Sequence, residues 1–359
     1  MEAPVSHSPW PLFCNDLELA QHWLLGQLTP RVNQQQLHWA LSLGLEQEVE
    51  QWLQAHPNVL SPVEGGKLRF RLAQKLGKAN PHLELIAAAR LDHNYAQLNN
   101  LPPDAWLRIR LNGGLGDHLQ ALSLIYSWCQ STGRAVQMES TPQRVKQLQR
   151  LLTSYPLMTL VASTRPAVKH PLNSQGFGAL MQHGHPELAH SAWLQHHRTQ
   201  QPVTARVVGC WRAQGNLDRF SAHSRSVSFA TVQGFWRRLR SLRPDLRLLD
   251  LTQWQPYEQA ALQQLGVELQ DPSQDDVAAL VDLVSGATVV SIDTALAHVC
   301  ACMGQPTWVM LPLFADERWL SLRHERHCYG QVLRFVQQHR YGCWQAPLQT
   351  VLNAVLSSL

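Results

Sequence analysis

The sequence predicts an α/β fold in which two doubly wound, Rossmann-like lobes follow a small all-α domain. Two observations support this prediction. From about residue 104 onward, short apolar runs of strand length alternate with helical stretches, a pattern typical of parallel sheets with right-handed crossovers. Before that point, apolar residues recur only at helical spacing. A chain of 359 residues is long enough for two or three domains.

Residues 1–103 are expected to form the helical domain. In residues 34–57 the apolar side chains of Leu37, Leu41, Val49 and Trp52 fall at helical offsets. Gly44 interrupts this run and marks a joint between two helices. The paired helices resemble degenerate tetratricopeptide-type repeats, although their spacing follows no fixed period. We expect this domain to serve in packing or in contact with a protein partner.

Residues 104–203 are expected to form the first lobe, which is short. Its predicted strands and helices alternate along the chain, with strands at 107–111, 135–139 and 159–162 and helices at 117–130 and 143–154. The alternation then fades in residues 163–184, which we interpret as a long loop that lines a site.

Residues 204–359 are expected to form the second lobe. The predicted strands cover residues 205–211, 246–251, 288–292 and 307–311. The predicted helices between and after them cover residues 229–242, 256–265, 275–285 and 294–303, with a terminal amphipathic helix from residue 347.

Composition limits the classes of protein that remain. With 45% hydrophobic and 16% charged residues the chain is a globular protein, not a disordered one. A net charge of +4 suits a phosphate-bearing ligand or peripheral contact with an anionic membrane. The basic stretch at 237–247 is interspersed with leucines, which indicates a solvated helix face and no nucleic-acid partner.

Cellular location and metal binding follow from other features of the sequence. The first residues show no secretory signal, and no apolar run approaches the ~18 residues of a membrane span. Seven irregularly spaced cysteines favour reduced thiols, and therefore a cytoplasmic protein. Neither the cysteines nor the histidines show a convincing metal-binding pattern, so we expect no metal.

A glycine-rich turn, NGGLGD, follows the first predicted strand. Gly113, Gly114 and Gly116 permit unusual backbone angles and close approach of a ligand. A nicotinamide-binding fingerprint fits poorly, because the spacing is not GxGxxG and Asp117 would repel a pyrophosphate. Two interpretations remain open: a tight turn in which Asp117 caps the following helix, or a sugar-transfer site in which its carboxylate acts as a base.

A second candidate site follows the strand predicted at 288–292. Asp293 and Thr294 open the next helix, Ala295 and Leu296 form its first turn, and His298 lies on the same side as Ala295. Ordinary helix capping would explain the first two residues. Alternatively, a diphosphate binds the helix amides and the Thr294 hydroxyl, with support from His298.

Residues 291–312, SIDTALAHVCACMGQPTWVMLP, resemble the donor-binding signature of glycosyltransferase family 9, the ADP-heptose:lipopolysaccharide heptosyltransferases and their relatives. The shared pattern is a strand, Asp-Thr-small-x-x-His, a helix of small residues, Gly-x-Pro and another strand. Residues 110–125, RLNGGLGDHLQALSLI, resemble the first strand and turn of that family, and FADERWL at 314–320 resembles a downstream segment.

This resemblance implies a GT-B fold, with the acceptor on the first lobe and a nucleotide-sugar donor on the second, across a cleft. It further implies inverting, metal-independent sugar transfer to a glycan or lipid-linked acceptor, without a cofactor, in cell-envelope glycan synthesis at the inner face of the cytoplasmic membrane. By position it makes Asp117 the general base, Arg225 a contact to the donor phosphates and Glu258 a contact to the donor sugar or ribose. The donor loop would comprise Asp293, Thr294, Ala295, Leu296 and His298.

Two alternatives remain open at this point. The chain could be a catalytically inactive GT-B module that binds a nucleotide or glycan, with the helical domain recruiting a partner. It could also be a purely helical scaffold, which would bind no nucleotide.

Overall fold

The computed structural model describes residues 17–76, 107–163, 193–194, 205–213, 225–271, 276–316, 319 and 332–358. In these ranges a group of helices comes first, and two parallel sheets with intervening helices follow. The predicted α/β class with a helical prefix is therefore confirmed. The proposed domain boundaries at 103/104 and 203/204, and all but the first residue of the predicted loop at 163–184, lie outside the described residues.

The helical prefix contains α1 (Leu17–Gln27), α2 (Gln34–Ser42), α3 (Glu46–Ala55) and α4 (Pro62–Lys75). A reciprocal capping box starts α2: the Gln36 amide donates to Asn33 Oδ1, and the Asn33 amide donates to Gln36 Oε1. Gly44 joins α2 to α3, which confirms the predicted joint, and its φ of 81° is one that favours glycine. A core of leucines and tryptophans holds the helices together.

The first sheet has the order β1-β2-β3, with every pair parallel. Its elements alternate as predicted: β1 (Leu107–Arg110), α5 (Leu115–Thr132), β2 (Val136–Ser140), α6 (Pro142–Leu152) and β3 (Met158–Ala162). Leu107 pairs with Val136, which pairs with Met158, so the amino ends of the three strands are aligned.

The second sheet has the order β6-β5-β4-β7-β8-β9, and its strand pairs are also all parallel. Its strands are β4 (Arg206–Cys210), β5 (Arg247–Asp250), β6 (Val267–Leu269), β7 (Thr288–Ile292), β8 (Thr307–Leu311) and β9 (Leu333–Gln337). Its helices are α7 (Phe229–Leu242), α8 (Pro256–Gln264), α9 (Val277–Val284), α10 (Ala295–Cys302) and α11 (Gln345–Ser358). The predicted elements end within two residues of these bounds, but β6 and β9 were not predicted.

Two cores cover the two faces of the second sheet. Successive side chains of a strand point to opposite faces, so Val207 and Val290 pack towards α7 and α11. Val208 and Val289 instead belong to a core that includes α9, α10 and the whole first sheet. The first lobe is therefore packed directly onto one helical layer of the second.

The contact between the lobes is made by two helices that run side by side in the same direction. Near their amino ends, a Cβ atom built on Gly116 of α5 would lie 2.5 Å from Cδ2 of His298 of α10. One turn further along, the Cys302 thiol donates to the Leu119 carbonyl at 3.6 Å. The amino ends of α5 and α10 therefore lie together.

A second contact joins the lobes at their surface. Arg150 of α6 forms an ion pair at 2.8 Å with Asp276, the residue that caps α9. None of the helices in the described ranges is long and apolar enough to cross a membrane.

Candidate functional site

The candidate site lies where the winding of the second sheet reverses. From β4 the chain proceeds outward through β5 and β6, and it then returns to the other side of β4 to form β7, β8 and β9. In open parallel sheets, ligands bind outside the carboxyl ends of the strands at such a switch point. Here the carboxyl end of β4 is followed by Arg212, and that of β7 by Asp293 and Thr294.

Thr294 is the N-cap residue of α10, but its side chain makes no capping hydrogen bond to the helix. Its hydroxyl lies 3.0 Å from the Ser291 hydroxyl and donates to the Cys210 thiol at 3.9 Å. The amides of Ala295 and Leu296, which open the helix, therefore have no side-chain cap from Thr294. Such amides carry a partial positive charge and can bind an anion.

Arg225 lies beside this helix end. Its Nη1 donates to the buried Asp293 carboxylate at 3.0 Å and to the Asp293 carbonyl at 3.3 Å. The structure thus brings together Arg225, Asp293 and Thr294, which the sequence placed in one donor site. The Ala213 amide donates to the Ser226 hydroxyl at 3.1 Å, which ties the segment carrying Arg225 to the end of β4.

In the glycine turn that precedes α5, Asp117 caps the helix as expected, but it does so from the first turn and not from the N-cap position. Gly114 is the N-cap residue, and Asp117 lies in the first turn of the helix, where its Oδ2 accepts the Gly114 amide at 2.6 Å. Gly113 has a φ of 92°, and a Cβ atom there would collide with the Asp117 carboxylate. One carboxylate oxygen of Asp117 is thus held by the turn that it follows.

His118 stabilises the glycine turn through a hydrogen bond, a role that the sequence analysis did not predict. Its Nδ1 is 2.9 Å from the Gly114 carbonyl, which can only accept, so Nδ1 carries the proton. Nε2 then accepts the Ser140 hydroxyl at 2.7 Å. Burial lowers the pKa of His118, which favours this neutral form.

Arg144, in the first turn of α6, brings a positive charge close to Asp117. Burial lowers the pKa of this guanidinium, whereas the charge of Asp117 raises it. The Arg144 side chain is oriented by a hydrogen bond from Nη1 to Gln147 Oε1 at 2.6 Å. An acidic and a basic group therefore meet at the carboxyl edge of the first sheet.

His298 connects the two lobes. It is buried, with 2% of its surface exposed, and its ring contacts Gly116 of the opposite lobe. On its other side lies Trp319, with a ring-centroid distance of 4.9 Å. The structure thus places His298 between the glycine turn and the downstream FADERWL segment, the three stretches that carried the family resemblance.

Glu258 is engaged by protein groups. Its carboxylate accepts two hydrogen bonds from Arg212, at 3.0 and 3.2 Å, and one from the Gln255 amide at 2.9 Å. The Arg212 guanidinium also lies 4.2 Å from the ring centroid of Trp254. Since 32% of the Arg212 side chain is exposed but only 5% of that of Glu258, Arg212 is the group of this pair that solvent reaches.

Arg212 and His118 are the principal residues that the sequence analysis missed. The sequence position of each residue could have identified it. Arg212 follows the strand at 206–210, where ligands bind a parallel sheet, and His118 directly follows Asp117. An arginine or histidine next to a strand end or helix start is common, however, so neither stands out without the fold.

Two cysteines in the described part of this region, Cys210 and Cys300, are not suited to act as nucleophiles. The cysteines in the described ranges are free thiols. Burial raises the pKa of Cys210, which touches Thr294, and of Cys300 to about 12, so both stay protonated at neutral pH. Within the described residues, no three His, Cys, Asp or Glu side chains form a cluster that could hold a metal ion.

A cavity of about 200 Å³ lies elsewhere, beside the amino end of β3. It is lined mainly by the carboxyl-terminal half of α5 and the segment that leads into β3, including Tyr126, Cys129 and Tyr155. Ligands of parallel sheets bind at the opposite, carboxyl edge, so this cavity is separate from the candidate site.

Comparison with known proteins gives a likeness in structure only. No family model and no curated protein matches the chain. A solved structure of Escherichia coli heptosyltransferase WaaC with ADP-2-deoxy-2-fluoro heptose is similar at 13% identity and a TM-score of 0.45. A structure of the same enzyme with ADP is similar at 12% identity and a TM-score of 0.46. Each likeness covers 71% of this chain and 100% of the other.

Proposed function

We propose that this protein is a glycosyltransferase that transfers a sugar from a nucleotide-diphosphate sugar to a glycan or lipid-linked acceptor. The reaction inverts the anomeric centre and needs no metal. The resemblance of residues 110–125 and 291–312 to glycosyltransferase family 9 supports this proposal, as does the GT-B-like succession of two parallel sheets. We place the protein in the cytoplasm, at the inner face of the membrane.

One observation carries the proposal: the amino ends of α5 and α10 meet at the switch point of the second sheet. The contact between Gly116 and His298 fixes this geometry. The helix dipole gives the amino end of α10 a partial positive charge, and Arg225 beside it adds a full charge, so this end suits a diphosphate. The amino end of α5 carries the Asp117 carboxylate, which would repel a diphosphate and would instead face the acceptor hydroxyl.

Arg225 and the start of α10 would stabilise the leaving nucleoside diphosphate. As the bond between sugar and phosphate breaks, negative charge accumulates on the diphosphate. The guanidinium of Arg225 and the amides of Ala295 and Leu296 can donate to that charge without moving far. Asp293, which accepts two bonds from Arg225, orients the guanidinium for this role.

Asp117 would act as the general base that removes the proton of the acceptor hydroxyl. The Gly114 amide donates to Oδ2 and thereby fixes the orientation of the carboxylate. A carboxylate has about four acceptor positions, so the bond to Gly114 and a bond to an acceptor hydroxyl are compatible. General base catalysis of this kind contributes about 10²- to 10⁴-fold in rate.

Glu258 would act on the donor through Arg212. Its carboxylate and the ring of Trp254 fix the guanidinium plane, and the exposed part of Arg212 is then available to the ribose or sugar. Direct contact between Glu258 and the donor, as the family resemblance implies, remains a prediction.

A screen of ADP-, GDP- and UDP-sugars for thermal stabilisation tests the proposal first, since a ligand of the folded state raises the melting temperature. Turnover of the stabilising donor is then measured for the wild type and for Asp117→Asn. We expect the variant to lose at least 100-fold in kcat while its donor affinity changes less than threefold.

Two results contradict the proposal. Absence of stabilisation by every nucleotide and nucleotide sugar contradicts the donor site. Binding of a donor without turnover with any glycan or lipid-linked acceptor contradicts the transferase activity and leaves a module that only binds.

A further inference from the structure

The helical prefix docks at the carboxyl edge of the second sheet, on the same edge as the candidate site. Phe314, in the loop after β8, inserts into the joint between α2 and α3. A Cβ atom built on Gly44 would lie 2.5 Å from Cε1 and 2.8 Å from Cζ of the Phe314 ring. Tyr341, which follows β9, also packs against the helical core.

The loop that carries Phe314 is held rigidly to the sheet. The Leu313 amide donates to Gln338 Oε1 at 3.1 Å. Gln337 Nε2 donates to the Leu313 carbonyl at 2.8 Å and to the Pro312 carbonyl at 3.3 Å. Only glycine fits at position 44, because φ is 81° there and the ring occupies the space of a side chain.

The same loop leads to the contact between the lobes. Ala315 is fully buried in the core shared by the two lobes, and the Trp319 amide donates to the Asp316 carbonyl at 2.9 Å. The ring of Trp319 packs against His298, which in turn contacts Gly116. Phe314, which contacts the helical prefix, and Trp319, which contacts His298, are only five positions apart in the sequence.

We propose that Phe314 is a positioning residue through which the helical prefix aligns the candidate site. Phe314 in the Gly44 joint fixes residues 312–316. Trp319, which hydrogen-bonds to Asp316, then holds His298 against Gly116, and the amino ends of α5 and α10 stay together. The helical prefix is thus a structural part of the site. The expected effect on nucleotide binding rests on the proposed function, whereas the expected effect on backbone protection does not.

The test compares Phe314→Ala with Val49→Ala. Val49 is fully buried in the helical core, so its truncation destabilises the prefix without removing the ring at Gly44. ADP affinity and hydrogen exchange are measured for both variants. We expect Phe314→Ala to raise the Kd for ADP about tenfold and to increase exchange at residues 112–118 in the opposite lobe. Val49→Ala should increase exchange within residues 17–76 only.

A second variant tests the same contact from its other side. Gly44→Ala introduces a methyl group into the space of the Phe314 ring and should give the Phe314→Ala phenotype. In a Phe314→Ala background, Gly44→Ala should have less than a third of its single effect on exchange at 112–118, because the collision with the ring is gone. The strain of a left-handed alanine remains in both backgrounds and acts within the helical prefix.

Three outcomes overturn the proposal. Unchanged exchange at 112–118 in both Phe314→Ala and Gly44→Ala shows that the loop does not align the site. An equal change in Val49→Ala shows that any loss of prefix stability has the same effect. If Gly44→Ala changes exchange at 112–118 equally in the wild-type and Phe314→Ala backgrounds, the contact does not couple the two positions. If wild-type protein binds no ADP, the proposed function fails, but the exchange measurements still decide this inference.

Discussion

Gly116 in the first lobe contacts the imidazole of His298 in the second, with no space for a side chain between them. The backbone of Gly116 is helical and does not itself require glycine. The absence of a side chain is therefore a requirement of the contact between the lobes. The close approach brings the helix start that carries Asp117 next to the helix that begins after Thr294.

Gly116→Ala should separate the two helix ends. A methyl group 2.5 Å from Cδ2 must displace the ring of His298 or the whole turn. Overpacking of this kind costs about 1–3 kcal/mol in the free energy of unfolding, although alanine is otherwise the better helix former. Urea unfolding and ADP titration check both consequences, and ADP affinity should fall at least fivefold.

The control for Gly116→Ala is the double variant with His298→Ala. Truncation of the ring makes space for the new methyl group, so the double variant should be no less stable than His298→Ala alone. Equal loss of stability from Gly116→Ala in the two backgrounds would show that the two residues do not collide.

Arg225→Gln should weaken binding of the diphosphate. Hydrogen bonds to charged groups contribute about 1.5–3 kcal/mol, so ADP affinity should fall about tenfold or more, and its dependence on salt should become weaker. Asp293→Asn provides the contrast, because it removes the negative charge beside Arg225 but leaves the guanidinium. Isothermal titration at two salt concentrations measures both variants. Equal losses in the two variants would contradict a direct contact between Arg225 and phosphate.

The order of strands and helices in both lobes could be predicted from the sequence because each element buries a periodic apolar face. The strand β6 has only three residues, and β9 has a single buried position, followed by one exposed and three half-buried positions, so neither gives an apolar run of the expected kind. The packing of the first lobe onto α9 and α10 was not predictable, because it depends on contacts between residues far apart in sequence.

The sequence predicted which residues belong to the candidate site but not the hydrogen bonds between them. The residue types at Asp117, Arg225 and Asp293 indicated a base and an anion site. That Asp117 is held by Gly114, and that Glu258 is paired with Arg212, depends on side-chain geometry that spacing along the chain does not specify. Local backbone rules did predict Gly44 correctly, since a joint between helices often needs a left-handed residue.

His38 makes the helical prefix sensitive to acid. Burial, together with the positive charges of Arg71 and Lys67, lowers the pKa of this histidine from 6.5 to about 4. Between these values the unfolded chain binds a proton that the folded chain does not, so stability falls as pH decreases from 6.5 to 4. His38→Gln removes this titration. The melting temperature of the variant relative to wild type should therefore rise between pH 7 and pH 5, and an unchanged difference would contradict the assignment.

Asp250, in the second sheet, makes stability depend on pH in the opposite direction from His38. Its carboxylate is fully buried at the end of β5, where Oδ2 accepts the indole N–H groups of Trp211 and Trp236 at 2.9 and 2.8 Å. The Thr252 amide donates to Oδ1 at 2.9 Å. These bonds favour the charged form, but burial outweighs them and raises the pKa of Asp250 from 3.8 to about 6.

The sign of this pKa shift gives the last prediction. Between pH 3.8 and about 6 the folded protein keeps a proton on Asp250 that the unfolded chain releases, so this group lowers stability as pH rises. The slope is at most about 1.4 kcal/mol per pH unit. Asp250→Asn cannot titrate, so the stability of wild type minus that of the variant should decrease from pH 4 to pH 7. Urea unfolding at both pH values measures this difference, and an increase with pH would mean that the carboxylate is stabilised by its three donors more than it is penalised by burial.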